Sequence, residues 1–268
     1  MTSTELASKI RASAISMVNK ASASHIGSAL SICDIVSVLY GTVMKIDPIN
    51  PNLEDRDRFI LSKGHACVAV YAALAHKGFL SLSELNTYGE DQSWLMNHIS
   101  HKVPGVEFST GALGHGLSFG VGKALAGKRQ NTDWQTFVVL SDGEMDEGSN
   151  WEALMFASHH RLKNLTAIID YNKLQSLDTV EATLNLEPLS EKLASFGAHV
   201  IEVNGHDHDD LREALSYKDK EKPTVIIAHT VKGKGVSFME NKVEWHYKPP
   251  NQEETAIALE EISKDNAK

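Results

Sequence analysis

Four short apolar runs, 137–140, 166–169, 198–203 and 224–228, punctuate the second half of the chain, with helical patterns at 150–161 and 208–217 between them. Alternation of this kind constrains the fold more than any other feature. Strand, helix and strand in succession close as parallel units, and strands buried on both faces read as continuous apolar stretches. The expectation is an α/β protein with a doubly wound parallel sheet flanked by helices.

The first half is compatible. Thr2 and Glu5 form a capping box ahead of a helix whose apolar face carries Ile10, Ala14, Met17 and Val18. A second helix is expected from about Ala29 to Val43. The stretch "DRFILSKGHACVAVYAALAHKGFL" reads as a buried strand, a turn at Lys63-Gly64 and a helix ending near Gly78. A long aperiodic loop follows, with His98, His101 and His115, and such loops in compact domains are usually functional. From Gly116 a small-residue helix runs to Lys128. With no internal repeat or interior linker, residues 1–268 read as a single domain with a polar tail from about 251.

At 268 residues, 42% hydrophobic and 23% charged, the chain can bury a sizeable core. Its net charge of -9 argues against a nucleic acid or an anionic membrane as partner, so an anionic ligand must be held by local groups. Cys33 and Cys67 offer neither a disulfide framework nor metal-ligand spacing and read as buried small hydrophobes in a reducing compartment. The N-terminus lacks a signal-peptide apolar core, and no run reaches membrane-spanning length, so a cytoplasmic location is expected.

Two apolar runs end abruptly, one in Ser-Asp-Gly and the next in Asp-Tyr-Asn. If 137–140 and 166–169 are neighbouring parallel strands, Asp142 and Asn172 leave the sheet at its ligand-binding edge. A carboxylate and an amide oxygen are hard ligands suited to Mg²⁺ or Ca²⁺. Gly143 removes a side chain where a phosphate would approach.

That spacing matches the thiamine diphosphate signature, and the chain resembles the amino-terminal half of transketolases over roughly residues 5 to 250. "SHIGSALS", "LSKGHACVAVYAALAHKG", "PGVEFSTGALGHGLSFGVGKALAGK", "SDGEMDEGSNWEALMFASHHRLKNL" and "TVKGKGVSFMENKVEWHYKP" carry the resemblance in family order. It implies that Asp142, Asn172 and the Leu174 carbonyl hold Mg²⁺, with Ca²⁺ as an alternative ion. It implies further that Gly143 lies against the diphosphate, and that His65, His246, Lys232 and Ser28 contact the cofactor. Gly111 and Leu113 match the segment passing the aminopyrimidine along its backbone. His25, His98 and His246 match histidines lining the substrate channel, where imidazoles near neutrality can move protons and stabilise oxyanions during ketol transfer.

The resemblance also implies a partner: a separate carboxy-terminal subunit carrying the pyrimidine-binding domain, in a dimer of heterodimers acting on sugars or sugar phosphates. Glu147 matches a family subunit-contact glutamate. Ser141 stands where the signature has its first glycine, which puts the turn geometry in question, and "NHIS" replaces Gly-His-Pro-Glu around His98. Two other readings stay open: another thiamine diphosphate enzyme, deoxyxylulose phosphate synthase-like or 2-oxo acid-decarboxylating, or a non-catalytic scaffold subunit. The run from His206 to Asp210 is expected to cap a helix rather than bind metal, and a metal at His98 and His101 is not favoured. Trp151, Leu154 and Met155, at helical spacing, read as core or interface.

Overall fold

The computed structural model describes residues 1–265. Helix α1 (Ser3–Ala21) begins with the expected capping box, Thr2 Oγ1 accepting from the Glu5 N–H while Glu5 accepts from the Thr2 N–H. Ile10, Ala14, Met17 and Val18 are all buried. The single helix expected from about Ala29 instead starts earlier and is segmented: α2 (Ile26–Ser31), α3 (Cys33–Val38) and a π-turn over Leu39–Val43. The break falls at Ile32, whose φ of -100° and ψ of 2° leave the helical well, a departure that an unbroken apolar pattern does not signal.

Strand β1 (Arg58–Leu61) leads through a 3₁₀ turn into α4 (Cys67–Lys77), closed by Gly78 in the left-handed conformation as expected. Then come α5 (Gly116–Gln130), β2 (Thr136–Ser141), α6 (Gly148–His159), β3 (Leu165–Tyr171), α7 (Val180–Thr183) and α8 (Leu189–Ser195). The chain continues through β4 (His199–Asn204), α9 (His208–Ser216), β5 (Thr224–His229) and α10 (Gln252–Asp265). The five strands form one parallel sheet in the order β1-β2-β3-β5-β4.

Both faces are covered, and the pleat decides which residue faces which layer. Phe137 and Val139 of β2, Ile168 of β3, and Ile226 and Ala228 of β5 enter the core shared with α1 to α4, α9 and α10. Val138 and Leu140, Ala167 and Ile169, and Val225 and Ile227 enter the opposite core with α5, α6 and α8. Cys33 and Cys67 are free and buried, as composition implies.

One expectation about local structure is corrected. The polar stretch after Asn251 is not a loose tail: it forms α10, begun by a box in which Asn251 Oδ1 accepts the Glu254 N–H and Glu254 accepts the Asn251 N–H. Ala258 and Ile262, one helical turn apart, bury themselves in the core that α1 shares. Only these two of its five apolar residues are fully buried, and Ile257 stays 43% exposed, so the helix lies on the surface with a narrow docked stripe.

Candidate active site

Every strand of a parallel sheet finishes at the same edge, and here four of the five deliver chemistry to it. Past β1 stand Lys63 and His65; past β2, Asp142 and Gly143; past β3, Asn172 and Leu174; past β5, Lys232. All line one cavity with His25, Ser28, His98, Gly111, Leu113 and His246, so each residue expected from the sequence lies at this site.

Four imidazoles converge. The His25 ring centroid lies 5.1 Å from His65, 5.8 Å from His98 and 5.0 Å from His246. His25 is held at a φ of 74°, uncommon for a residue with a side chain, and its N–H donates to the His246 carbonyl at 2.7 Å. Desolvation lowers the basicity of all four. With the nearby His98, Lys232 and Lys63 adding to burial, His25 falls to about 4, and burial with Lys232 and its neighbours takes His246 to about 3. Desolvation, with Lys63 and the neighbouring imidazoles, holds half-buried His65 well below its usual value, and desolvation lowers His98 as well. Lys232 drops to about 8, chiefly by desolvation and then by Lys63.

Asp142 is the counterpart. Its Oδ1 accepts the Gly143 N–H at 2.7 Å and its Oδ2 the Lys173 N–H at 2.6 Å, while no ion pair reaches it among the described residues. Burial, with Asp170 alongside, raises its carboxyl to about 7. Asn172 Oδ1 accepts the Leu174 N–H at 3.1 Å, and the Leu174 carbonyl accepts from Lys232 Nζ at 2.9 Å. Each of these oxygens keeps a lone pair to offer. A buried carboxylate without a cation, flanked by amide and carbonyl oxygens, fits a hard divalent ion. Among the described residues no group of three or more His, Cys, Asp or Glu side chains is placed to hold a metal, so an ion here would rest on this mixed set.

The chain matches the family model described as "Transketolase, thiamine diphosphate binding domain" over residues 2–267. The chain belongs to the transketolase family. It is 43% identical over 258 residues to an apulose-4-phosphate transketolase subunit from Phocaeicola vulgatus, covering 95% of this chain and 92% of that one. A 6-deoxy-6-sulfo-D-fructose transketolase subunit from a Clostridium species is 40% identical, with 97% and 96% covered. The crystal structure of Campylobacter jejuni transketolase superposes with a TM-score of 0.92 at 32% identity, covering 97% of this chain and 42% of that one. The chain thus spans less than half the length of that transketolase.

Several residues in and around the cavity escaped sequence reasoning. Lys63 Nζ donates to Asp170 Oδ2 at 2.5 Å and to the Ser28 carbonyl at 3.1 Å. Glu144, fully buried, accepts from Ser62 Oγ at 2.5 Å and the Gly114 N–H at 2.9 Å, tying the loop before α5 to the end of β2. Gln175 and Tyr247 complete the wall. A local signal existed for Asp170 alone, since a charge ending an apolar run demands a buried partner.

The outlying candidates separate. Ser141 is the last residue of β2, with no positive φ, and its Oγ accepts the Glu144 N–H at 3.2 Å, so the serine caps the turn instead of distorting it. His101 is exposed and engaged with Ser109 through both its N–H and its Nδ1, and it does not line the cavity that His98 lines. His115 is exposed at the start of α5, its Nδ1 at 2.9 Å from the Leu113 carbonyl. Asp207 caps α9 as expected. On α6, Leu154 is buried, whereas Met155 and Phe156 are 58% and 43% exposed, so Met155 is not core.

Proposed function

We propose that this chain is the diphosphate-binding subunit of a two-chain transketolase that moves a two-carbon ketol unit from a ketose donor to an aldose acceptor, free or phosphorylated. The observation that carries the reading is the convergence of His25, His65, His98 and His246 on the cavity holding Asp142 and Asn172. Relatives of matching length, named as transketolase subunits, support the division into two chains.

Thiamine diphosphate, when bound, supplies the electron sink for breaking and making the carbon–carbon bond. Asp142, Asn172 and the Leu174 carbonyl would hold Mg²⁺, or Ca²⁺ in its place. His65 and His246 would donate hydrogen bonds to the diphosphate, Ser28 and Lys232 would stand at other cofactor contacts, and Gly143 would leave it room. Gly111 and Leu113 would line the aminopyrimidine with their backbone. His25, His98 and His246 face the substrate, accepting a proton from a hydroxyl as the bond breaks and returning it to the carbonyl oxygen as the new one forms. An anionic cofactor would raise their basicity from the depressed values above towards neutrality, where such exchange is efficient.

The pyrimidine-binding half comes from a separate carboxy-terminal subunit, in a dimer of such pairs, with Glu147 and the exposed Met155 and Phe156 on the docking face. No helix among the described residues is long and apolar enough to cross a membrane, and a cytoplasmic pair is the reading that suits two free cysteines. The test is ketol transfer from hydroxypyruvate with Mg²⁺ and thiamine diphosphate to phosphorylated, sulfonated and plain aldehydes, with and without a co-expressed pyrimidine-domain chain. Activity in the pair alone supports the proposal, whereas full activity of the isolated chain, or silence of an assembled pair on every aldehyde, refutes it.

A further inference from the structure

Behind the cavity, on the side of α1, a buried carboxylate gathers three cationic or imidazole side chains from distant parts of the chain. Asp34 of α3 accepts from Arg11 Nη2 at 2.5 Å, from His206 Nδ1 at 2.7 Å and, on its other oxygen, lies 3.1 Å from His208 Nε2. Burial alone would raise its carboxyl, but Arg11 and the bonds from both histidines hold it well below the usual carboxylate range. None of these groups lines the cofactor cavity.

The cluster nevertheless reaches that cavity through the backbone. His206 Nε2 accepts the Val231 N–H at 2.8 Å, so the ring proton sits on Nδ1, aimed at Asp34. Arg11 Nε donates to the Lys234 carbonyl at 3.1 Å. These two bonds grip the segment 230–235 after β5, a strap over the sheet edge, on either side of Lys232, and Gly233 at a φ of 83° turns it tightly enough for both. From the strap, Lys232 Nζ enters the cavity within 2.9 Å of the Leu174 and Gln175 carbonyls and 3.1 Å of His246 Nδ1.

We propose that Asp34 and His206 are positioning residues that fix the strap carrying Lys232, and through it the cofactor-side geometry of the Leu174 carbonyl and His246. The inference rests on the thiamine diphosphate reading of the cavity. A long flexible amine holds three partners at once only if its backbone is anchored. Asp34 orients the His206 ring, and the ring in turn holds the Val231 amide.

Two substitutions separate the functions of the ring. His206→Asn keeps a polar atom near Nδ1 for Asp34 but loses the acceptor at Nε2, and His206→Gln keeps the distal acceptor. Hydrogen exchange over residues 229–236 in the full chain reads the anchoring directly, and thiamine diphosphate affinity in the reconstituted pair with Mg²⁺ reads its consequence. H206N should exchange Val231 about tenfold faster and bind cofactor about tenfold more weakly, the value of one hydrogen bond, while H206Q stays within about threefold of wild type on both. Arg11→Lys, which keeps a cation beside Asp34 but loses the Lys234 carbonyl bond, gives the same readings should H206N not fold. Unchanged exchange in H206N and R11K, or faster exchange with unchanged cofactor affinity, overturns the proposal. If the wild-type pair binds no thiamine diphosphate at all, the reading of the cavity fails, and the exchange measurement alone decides whether the strap is held from Asp34.

Discussion

Lys63 Nζ stands 2.5 Å from Asp170 Oδ2 with both side chains out of solvent, their exposures 1% and 0%. The pair joins the loop after β1 to the end of β3 beneath the cavity, and Ser31, Asn172 and Thr230 donate to the same carboxylate. Burial would raise the Asp170 carboxyl, but Lys63 and the hydroxyl donors bring it below its usual range. Satisfied on every side, the pair forms a rigid floor on which the edge residues stand.

Breaking it from one side should be costly. Lys63→Met leaves a buried carboxylate without its cation, and a loss of about 3–5 kcal/mol in unfolding free energy is expected. Urea denaturation of the purified chain measures this, and a loss under about 1 kcal/mol would show that the other donors hold Asp170 by themselves.

Asp142→Ala should abolish Mg²⁺-dependent retention of thiamine diphosphate while leaving the fold intact. The carboxylate bonds two backbone N–H groups, of Gly143 and Lys173, so some local loosening is expected. Calorimetric titration alongside far-UV circular dichroism makes the comparison, and undiminished cofactor affinity in the variant removes Asp142 from the metal site.

The depressed histidines predict a pH signature in the cofactor-free chain. His25, at about 4 when folded against 6.5 for the free group, refuses a proton that the unfolded chain accepts. Its contribution is therefore complete above about pH 6.5 and is lost as pH falls towards 4, since stability rises with pH wherever the unfolded state binds more protons. Asp142, raised to about 7, runs the other way, which makes a difference measurement the clean one. His25→Asn, a residue that tolerates positive φ, should lose less stability than wild type between pH 6.5 and 4.5 in thermal melts. Parallel pH profiles for the two proteins would contradict the assignment.

Ser141→Gly restores the first glycine of the family signature, yet it should not help. The Ser141 hydroxyl caps the Glu144 N–H and its backbone is extended, so the change removes a hydrogen bond and adds chain entropy. A destabilisation of about 1 kcal/mol with unchanged cofactor affinity is expected. A gain in affinity would instead mean that the side chain obstructs the diphosphate.

What the sequence determined by itself is what its local periods encode. Apolar runs fixed four strands, β2, β3 and β5 buried on both faces and β4 at the sheet edge only partly covered, and the parallel order of β2 and β3; the Thr2 and Glu5 spacing opened α1, and the residues just past each strand necessarily shared an edge. Asp142, Asn172 and the histidines were legible because motif spacing survives in one dimension. Contacts between distant positions decided the rest. Lys63 finds Asp170 across 107 positions, Glu144 holds the Gly114 amide across 30, and Asp34 meets His206 across 172. Nothing in a local window distinguishes a lysine after a strand from a solvated one, or a histidine beside a helix cap from an anchor. A buried charge is tolerable only where folding brings its partner within hydrogen-bonding reach, and that meeting is settled by the packing of α1, α3 and the sheet edge against one another.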